Sequence, residues 1–266
     1  MQRFERGDLT RQRHADTVDA RSHTGSRLIG DWTVTQNGCM SQRCFVLVPG
    51  AGSAASWQLV APLIQDGGFE SMVVSLPNWP GATFDDQAKT IVDAAGACDN
   101  ITLVALSMGA FSAPVASVQL PVTELVLVNA MIPAPGETAG EWWANTGQVE
   151  AMRRSDLRNG RDPDAGFDAQ FHFLHDFPPE VLQTVTSSED ASPPAASLFQ
   201  SGFALSGWPD VPTTVLAGRD DRFFPYEFQR RIAKERLGLD AEQLPGGHLL
   251  ALSHPKPLVA RLLRDL

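Results

Sequence analysis

The stretch ITLVALSMGA, residues 101–110, runs from an apolar segment onto a single serine and then onto a glycine. A short apolar run of this kind, bounded by turn residues, fits a strand buried on both faces. Ser107 follows it directly, and MGAFSAPVASVQL continues with helical spacing. A serine can stand on a strained strand-to-helix turn only where the residues two before and two after are small. Ala105 and Gly109 satisfy that condition. The amide of Met108 then faces any oxyanion formed above Ser107. The competing reading makes Ser107 an N-cap, the commonest task of a serine between strand and helix.

The same alternation extends in both directions. Strands are expected at 44–50, 71–77, 101–107, 123–130, 213–218 and 240–247, and helices at 56–68, 85–98, 108–120, 226–238 and 255–266. Acidic residues open the helix at 85, where they suit the helix dipole. Strands alternating with helices predict an α/β fold: a mainly parallel sheet with helices on both faces. Residues 131–209 break the rhythm. They are rich in Pro, Trp, Phe and His and carry helical pieces near 137–154, 177–187 and 193–204. We read them as a helical cap inserted between the fourth and fifth core strands, leaving 40–130 and 210–266 as the core.

A serine hydroxyl needs a base, and the base needs an orienting carboxylate. Ligands in an open parallel sheet gather beyond the carboxyl ends of its strands. Of six histidines, His14 and His23 lie in the polar amino-terminal segment, His172 and His175 in the insert, and His254 at the start of the last helix as a capping or surface residue. Only His248 follows a sheet strand, after two glycines, and it is the candidate base. Asp220 and Asp221, in LAGRDDRFFP, compete for the acid role; the plainer reading of either is a solvated turn carboxylate or an ion pair with Arg219 or Arg222, and the one not used is a candidate cap for the next helix. The glycine-rich loop VPGAGSAASW supplies a second oxyanion donor, for which the amide of Ala51 is the candidate.

Together these four loops resemble the α/β-hydrolase superfamily over residues 44–266, in particular the small esterase-like branch of plant methyl-ester esterases, hydroxynitrile lyases and their bacterial relatives. FVLVPGAGSAASW resembles the oxyanion loop of that branch, with Pro49 where a His is usual. ALSMGA resembles its elbow, with Ala105 and Leu106 in place of Gly and His. PGGHLLALSHP resembles its histidine loop. In the acid loop of the branch the carboxylate stands four residues before a proline, so the resemblance assigns the role to Asp221, with Pro225 as the marker. It implies a serine hydrolase acting on a small to medium apolar carboxylic ester, with no cofactor. A lyase or C–C bond hydrolase on the same triad, and a non-catalytic binding module, are the alternatives.

Composition bounds the rest. Apolar residues make up 43% of the 266 positions and charged residues 20%, enough to bury a core. The net charge of −10 opposes binding to nucleic acid. No apolar run is long enough for a membrane span, and MQRFERGDLTRQRHADTVDARSHTG lacks a secretory signal's apolar stretch, so a cytoplasmic protein with a small-molecule substrate is expected. Residues 1–39 are expected to be a polar, poorly ordered extension, and they carry no candidate triad member. Within it 27–38 could pair as two short strands. Three cysteines without a CxxC argue against a disulfide framework or a zinc site, though a Cys39–Cys44 pair stays open. No metal is expected: the i, i+3 pair His172 and His175 lacks a third ligand. Trp142 and Trp143 are candidates for an apolar substrate pocket, with packing of cap on core as the plainer role.

Overall fold

The structure is a computed structural model that describes residues 43–51, 53–179, 181–182, 193–264 and 266. The extension 1–39 and the strand pair expected at 27–38 lie outside the described residues. Six strands, β1 (Cys44–Val48), β2 (Glu70–Val73), β3 (Ile101–Leu106), β4 (Val122–Val128), β5 (Thr213–Gly218) and β6 (Ala241–Leu244), form one sheet in the order β2-β1-β3-β4-β5-β6. Every pairing is parallel.

Why these strands read as near-continuous apolar runs is visible in their faces. Alternate side chains point to opposite sides of a strand. Val46, Val48, Leu103, Ala105, Leu125, Leu127, Val215 and Ala217 enter one core. Phe45, Leu47, Val104, Leu106, Val126, Val128 and Leu216 enter the other. The first core is closed by the helices α2 (Phe84–Ala95), α3 (Ala113–Ser117) and, further along the chain, Tyr226–Leu237. The second is closed by α1 (Val60–Asp66) and by the carboxyl-terminal helix Pro255–Leu262. With both faces covered, the sheet has no polar side to write into the sequence.

Helix boundaries departed most from expectation. The helix expected at 56–68 is a 3-10 turn at Ala54–Trp57 followed by α1. The helix expected at 108–120 is likewise a 3-10 turn, Ser107–Phe111, and then α3, which restarts with Pro114 in its first turn because proline cannot donate within a helix. The helix near 85 begins at Thr83, whose hydroxyl and Asp86 form a reciprocal capping box.

Between β4 and β5 come α4 (Ala139–Thr146), α5 (Gln148–Arg158) and α6 (Ala169–His172). The single helix expected over 137–154 is two, because Gly147 takes a left-handed φ of 65° and resets the axis. Only a 3-10 turn, Ala196–Gln200, forms within 193–204, and 177–187 falls largely outside the described residues. After β5 follow α7 (Tyr226–Leu237), α8 (Leu250–Ser253) and α9 (Pro255–Leu262). No described helix is long and apolar enough to cross a membrane.

The α4 end of this segment is fastened to α7 by a buried ion pair between Glu137 and Arg236, whose second bond, Nη2 to Oε1, is 2.9 Å. Burial alone would raise the Glu137 carboxyl, but the bonds from Arg236, from Asn145 and from the Ala134 amide outweigh it and hold the group below its ordinary value. Glu137→Gln should therefore cost about 3 kcal/mol near neutral pH, the lower end for breaking a buried pair from one side. A carboxylate lowered on folding stabilises above its unfolded value and loses that contribution as pH falls through its folded one. The difference in thermal midpoint between wild type and variant should close on acidification. A gap that stays constant from pH 7 to pH 3 would contradict this account.

Candidate active site

The strand order reverses between β1 and β3. The chain leaves β1 toward α1 on one face and leaves β3 toward α3 on the other, which opens a crevice at the carboxyl ends of these two strands. The loop after β1 and the turn after β3 meet there. A Cβ built on Gly50 would lie 2.9 Å from the Cβ of Ser107, 3.0 Å from the carbonyl of Leu106 and 3.5 Å from the amide nitrogen of Met108. One on Gly109 would lie 2.6 Å from the carbonyl of Pro49. Glycine is required at both positions by contact with backbone, and the small-residue rule at the elbow has this physical origin.

Ser107 has φ of 50°, a left-handed conformation that costs an ordinary residue roughly 1–2 kcal/mol. Leu106, not Ser107, occupies the N-cap of the turn. The serine hydroxyl is directed instead at His248: Oγ and Nε2 are 3.2 Å apart. On the far side of the ring, Nδ1 lies 2.9 Å from Oδ2 of Asp221. A carboxylate only accepts, so Nδ1 carries the proton and the lone pair of Nε2 faces the serine. All three side chains are buried, with 8%, 2% and 4% exposure for Ser107, His248 and Asp221. The arrangement can draw a proton from Ser107 Oγ and stabilise the imidazolium that results.

Asp221 is fixed by its other oxygen, which accepts the amides of Phe223 and Phe224 at 2.8 Å each, while Gln229 Nε2 approaches Oδ2 at 3.3 Å. Asp220 turns away. It pairs with Arg219 at 2.9 Å, and that bond holds its carboxyl below the usual range. The expectation that the unused aspartate caps the next helix fails, because Pro225 takes the N-cap of α7 and no side chain bonds there. The pairing with an arginine is what occurs. His254 stands at the N-cap of α9 without making a capping bond, and its Nδ1 lies 3.0 Å from Ser253 Oγ.

Aromatic rings enclose the imidazole. Phe173 stacks on His248 with centroids 4.8 Å apart and planes at 14°. Phe223 and Phe224 stand edge-on to it at 5.2 and 4.8 Å. Phe173 is one of several insert aromatics that the sequence offers as pocket lining or packing, whereas Phe223 and Phe224 carry no such signal although they stand inside the acid loop. Trp142 is fully enclosed, with Nε1 donating to the carbonyl of Ile132 at 2.9 Å and the ring packed on Phe224 and Phe228. Trp143 is half-buried against Phe223 and Phe224. Both neighbours back the rings that touch His248, Trp142 through Phe224 from within the core and Trp143 through Phe223 and Phe224 from a half-buried position. Ala51 is half-buried against the first core, beside the Gly50 contact with the elbow.

His172 and Asp156 form a fully buried pair at 3.0 Å inside the segment between β4 and β5. Asp176 accepts the amide of Gly247 at 2.7 Å and the hydroxyl of Ser253 at 2.8 Å. His172 and Asp176 are thus taken up by packing and by the histidine loop. Among the described residues, Cys44, Glu70 and Cys98 bring their donor atoms within 4.8 Å of one another, at the opposite end of the sheet from Ser107. Burial, then the bond from Cys98, pushes the Cys44 thiol up to about 12, so it stays protonated.

A methyl at Gly50 would press on the elbow. Gly50→Ala should slow any reaction at Ser107 by about 10–100-fold, since an ångström of misplacement suffices for that. An unchanged rate of Ser107 modification in a folded variant would show that the loop yields.

Residues 45–262 match the model of the alpha/beta hydrolase family. No curated protein matches this chain in sequence. Among solved structures, polyneuridine aldehyde esterase superposes with a TM-score of 0.67 at 18% identity, covering 84% of this chain and 98% of its own. A methylesterase from Arabidopsis gives 0.62 at 20%, covering 83% and 97%. A pyrethroid hydrolase from Sphingobium faniae gives 0.60 at 18%, covering 83% and 95%. At such identities the likeness concerns the fold.

Proposed function

The chain belongs to the alpha/beta hydrolase family, and from that premise we propose that it hydrolyses a small to medium apolar carboxylic ester through a covalent acyl-enzyme on Ser107. The observation that carries this reading is the unbroken hydrogen-bonded line from Ser107 through His248 to Asp221. Ser107 Oγ attacks the ester carbonyl as His248 Nε2 takes its proton. Asp221 holds the ring and balances its charge. The amides of Met108 and Ala51 receive the oxyanion, and the packing of Gly50 against the elbow supports this pairing of loops. His248 then returns the proton to the departing alcohol. Water then attacks the acyl carbonyl while His248 Nε2 takes its proton, and His248 passes that proton to Ser107 Oγ as the acyl–Oγ bond breaks and the acid leaves. This chemistry needs neither metal nor cofactor.

Phe173, Phe223 and Phe224 displace water from the imidazole and strengthen its attraction to Asp221. With Trp143 behind them, they favour an apolar acyl or alkyl group over a charged one. A lyase on the same triad would call for a further cationic or polar group over Ser107. Lys89 and Lys234 are exposed and paired with Asp93 and Asp240, and Lys256 is exposed. They lend that reading no support. The proposed substrate is a free small molecule, and a cytoplasmic location remains part of the proposal.

A fluorophosphonate probe should label the wild-type protein at Ser107, located by peptide mass spectrometry. Turnover of p-nitrophenyl esters of graded chain length then reports the acyl preference. Failure to label Ser107 in folded protein would overturn the hydrolase reading.

A further inference from the structure

We infer that Asn129, the residue after β4, is a positioning residue that holds the histidine loop, the acid loop and the elbow in register; this rests on the hydrolase reading above. Besides Ser107, Asn129 is the only non-glycine residue with positive φ among those described, at 45°. It is fully buried. Asparagine enters the left-handed region more readily than most residues, and here the bend turns its side chain to the carboxyl edge of the sheet.

The amide uses its whole bonding capacity. Nδ2 donates to the carbonyls of Gly247 at 3.0 Å and of His248 at 2.8 Å. Oδ1 accepts the amide of Gly218 at 2.7 Å and Gln229 Nε2 at 3.2 Å. The backbone contributes as well: Asn129 N–H donates to Leu216, and the N–H of Met131 donates to the carbonyl of Ser107 at 3.0 Å. One short segment thus touches the backbone of the base itself, the strand end that launches Asp221, and the nucleophile.

The histidine loop needs such an anchor. Gly246 has φ of 115° and is followed by Gly247, so two residues without side chains precede the base. A free His248 backbone would let the imidazole drift from either Ser107 or Asp221. Gly218 shows how tightly the loops are gathered, since a Cβ there would lie 2.6 and 2.8 Å from the carbonyls of Gly246 and Gly247. Asn129 grips this junction from one side and Asp176 takes the Gly247 amide from the other.

Two variants separate the amide from the backbone bend. Asn129→Gly keeps the left-handed bend at ease and deletes the side-chain bonds. Asn129→Asp keeps the shape and the acceptor facing Gly218 but sets an oxygen against two carbonyls. Both should lower kcat on p-nitrophenyl butyrate and the fluorophosphonate labelling rate by about 100-fold, as for misplacement of a reacting group. KM should stay within about threefold, because substrate contacts are untouched. Labelling within threefold of wild type in either folded variant would overturn the inference. So would a loss expressed wholly in KM, or failure of both variants to fold, which would make Asn129 a support of the fold alone. Wild-type protein that is not labelled at Ser107 would instead remove the hydrolase reading beneath it.

Discussion

Ser107→Ala is expected to lower ester turnover by about 10⁶-fold, the scale on which loss of the nucleophile abolishes serine-hydrolase catalysis. The fold should barely register it. The hydroxyl contributes one hydrogen bond, 3.2 Å to His248, worth about 0.5–1.5 kcal/mol net. For a chain of this size that is roughly 1–6 °C in thermal midpoint. Alanine pays the same left-handed strain as serine at φ of 50°, so the elbow gains no relief. The comparison discriminates between roles. A serine kept for structure would lose stability and activity in proportion, whereas one kept for chemistry loses only activity. Turnover on p-nitrophenyl butyrate and the loss of the fluorophosphonate adduct measure the first quantity, and a thermal melt measures the second. Residual turnover above about 1% of wild type, with a fresh adduct on another residue, would mean that the nucleophile lies elsewhere.

How far the sequence foretold this site depends on the range of the interaction. The parallel order was legible because burial on both faces erases polar positions from a strand, as in CFVLV and ITLVAL. That Ser107 and His248 meet at the carboxyl edge of the sheet was legible because local chemistry marks them, by small residues around one and two glycines before the other. Asp221 was not separable from Asp220 by local chemistry. The choice is made by the amides of Phe223 and Phe224, which fold back onto one carboxylate and leave the other to Arg219. Asn129 reads in sequence only as the tail of a strand, since its side-chain partners lie 89 to 119 residues away in the chain. Phe173 was visible as one of many aromatics, but its stacking on His248 is tertiary. Helix breaks at Ser112 and Gly147 were missed for a different reason. Periodicity continues across them while the backbone does not, because Pro114 and a left-handed glycine interrupt the hydrogen bonds.

Asp221→Asn should lower kcat by about 10⁴-fold, and the cause is a tautomer rather than a lost charge alone. Oδ1 of Asp221 is bound by two backbone amides at 2.8 Å, which only an oxygen can accept. In the variant that site keeps the amide oxygen, so the NH2 group is turned toward Nδ1 of His248, now 2.9 Å from a donor. The ring must then carry its proton on Nε2. That nitrogen faces Ser107 and can no longer take the hydroxyl proton. Asp220→Asn breaks an ion pair with Arg219 in which both side chains are well exposed, and such a pair contributes about 0.2–1 kcal/mol at most. It also weakens a long contact, 3.4 Å, to the amide of Gly246. Neither touches the imidazole, so kcat should change by no more than a few-fold. The two substitutions alter the same atoms in adjacent residues of one loop, so their ratio removes general effects on folding and solubility. Equal losses in kcat from the two would show that the loop as a whole, and not the carboxylate of Asp221, sets the orientation of His248.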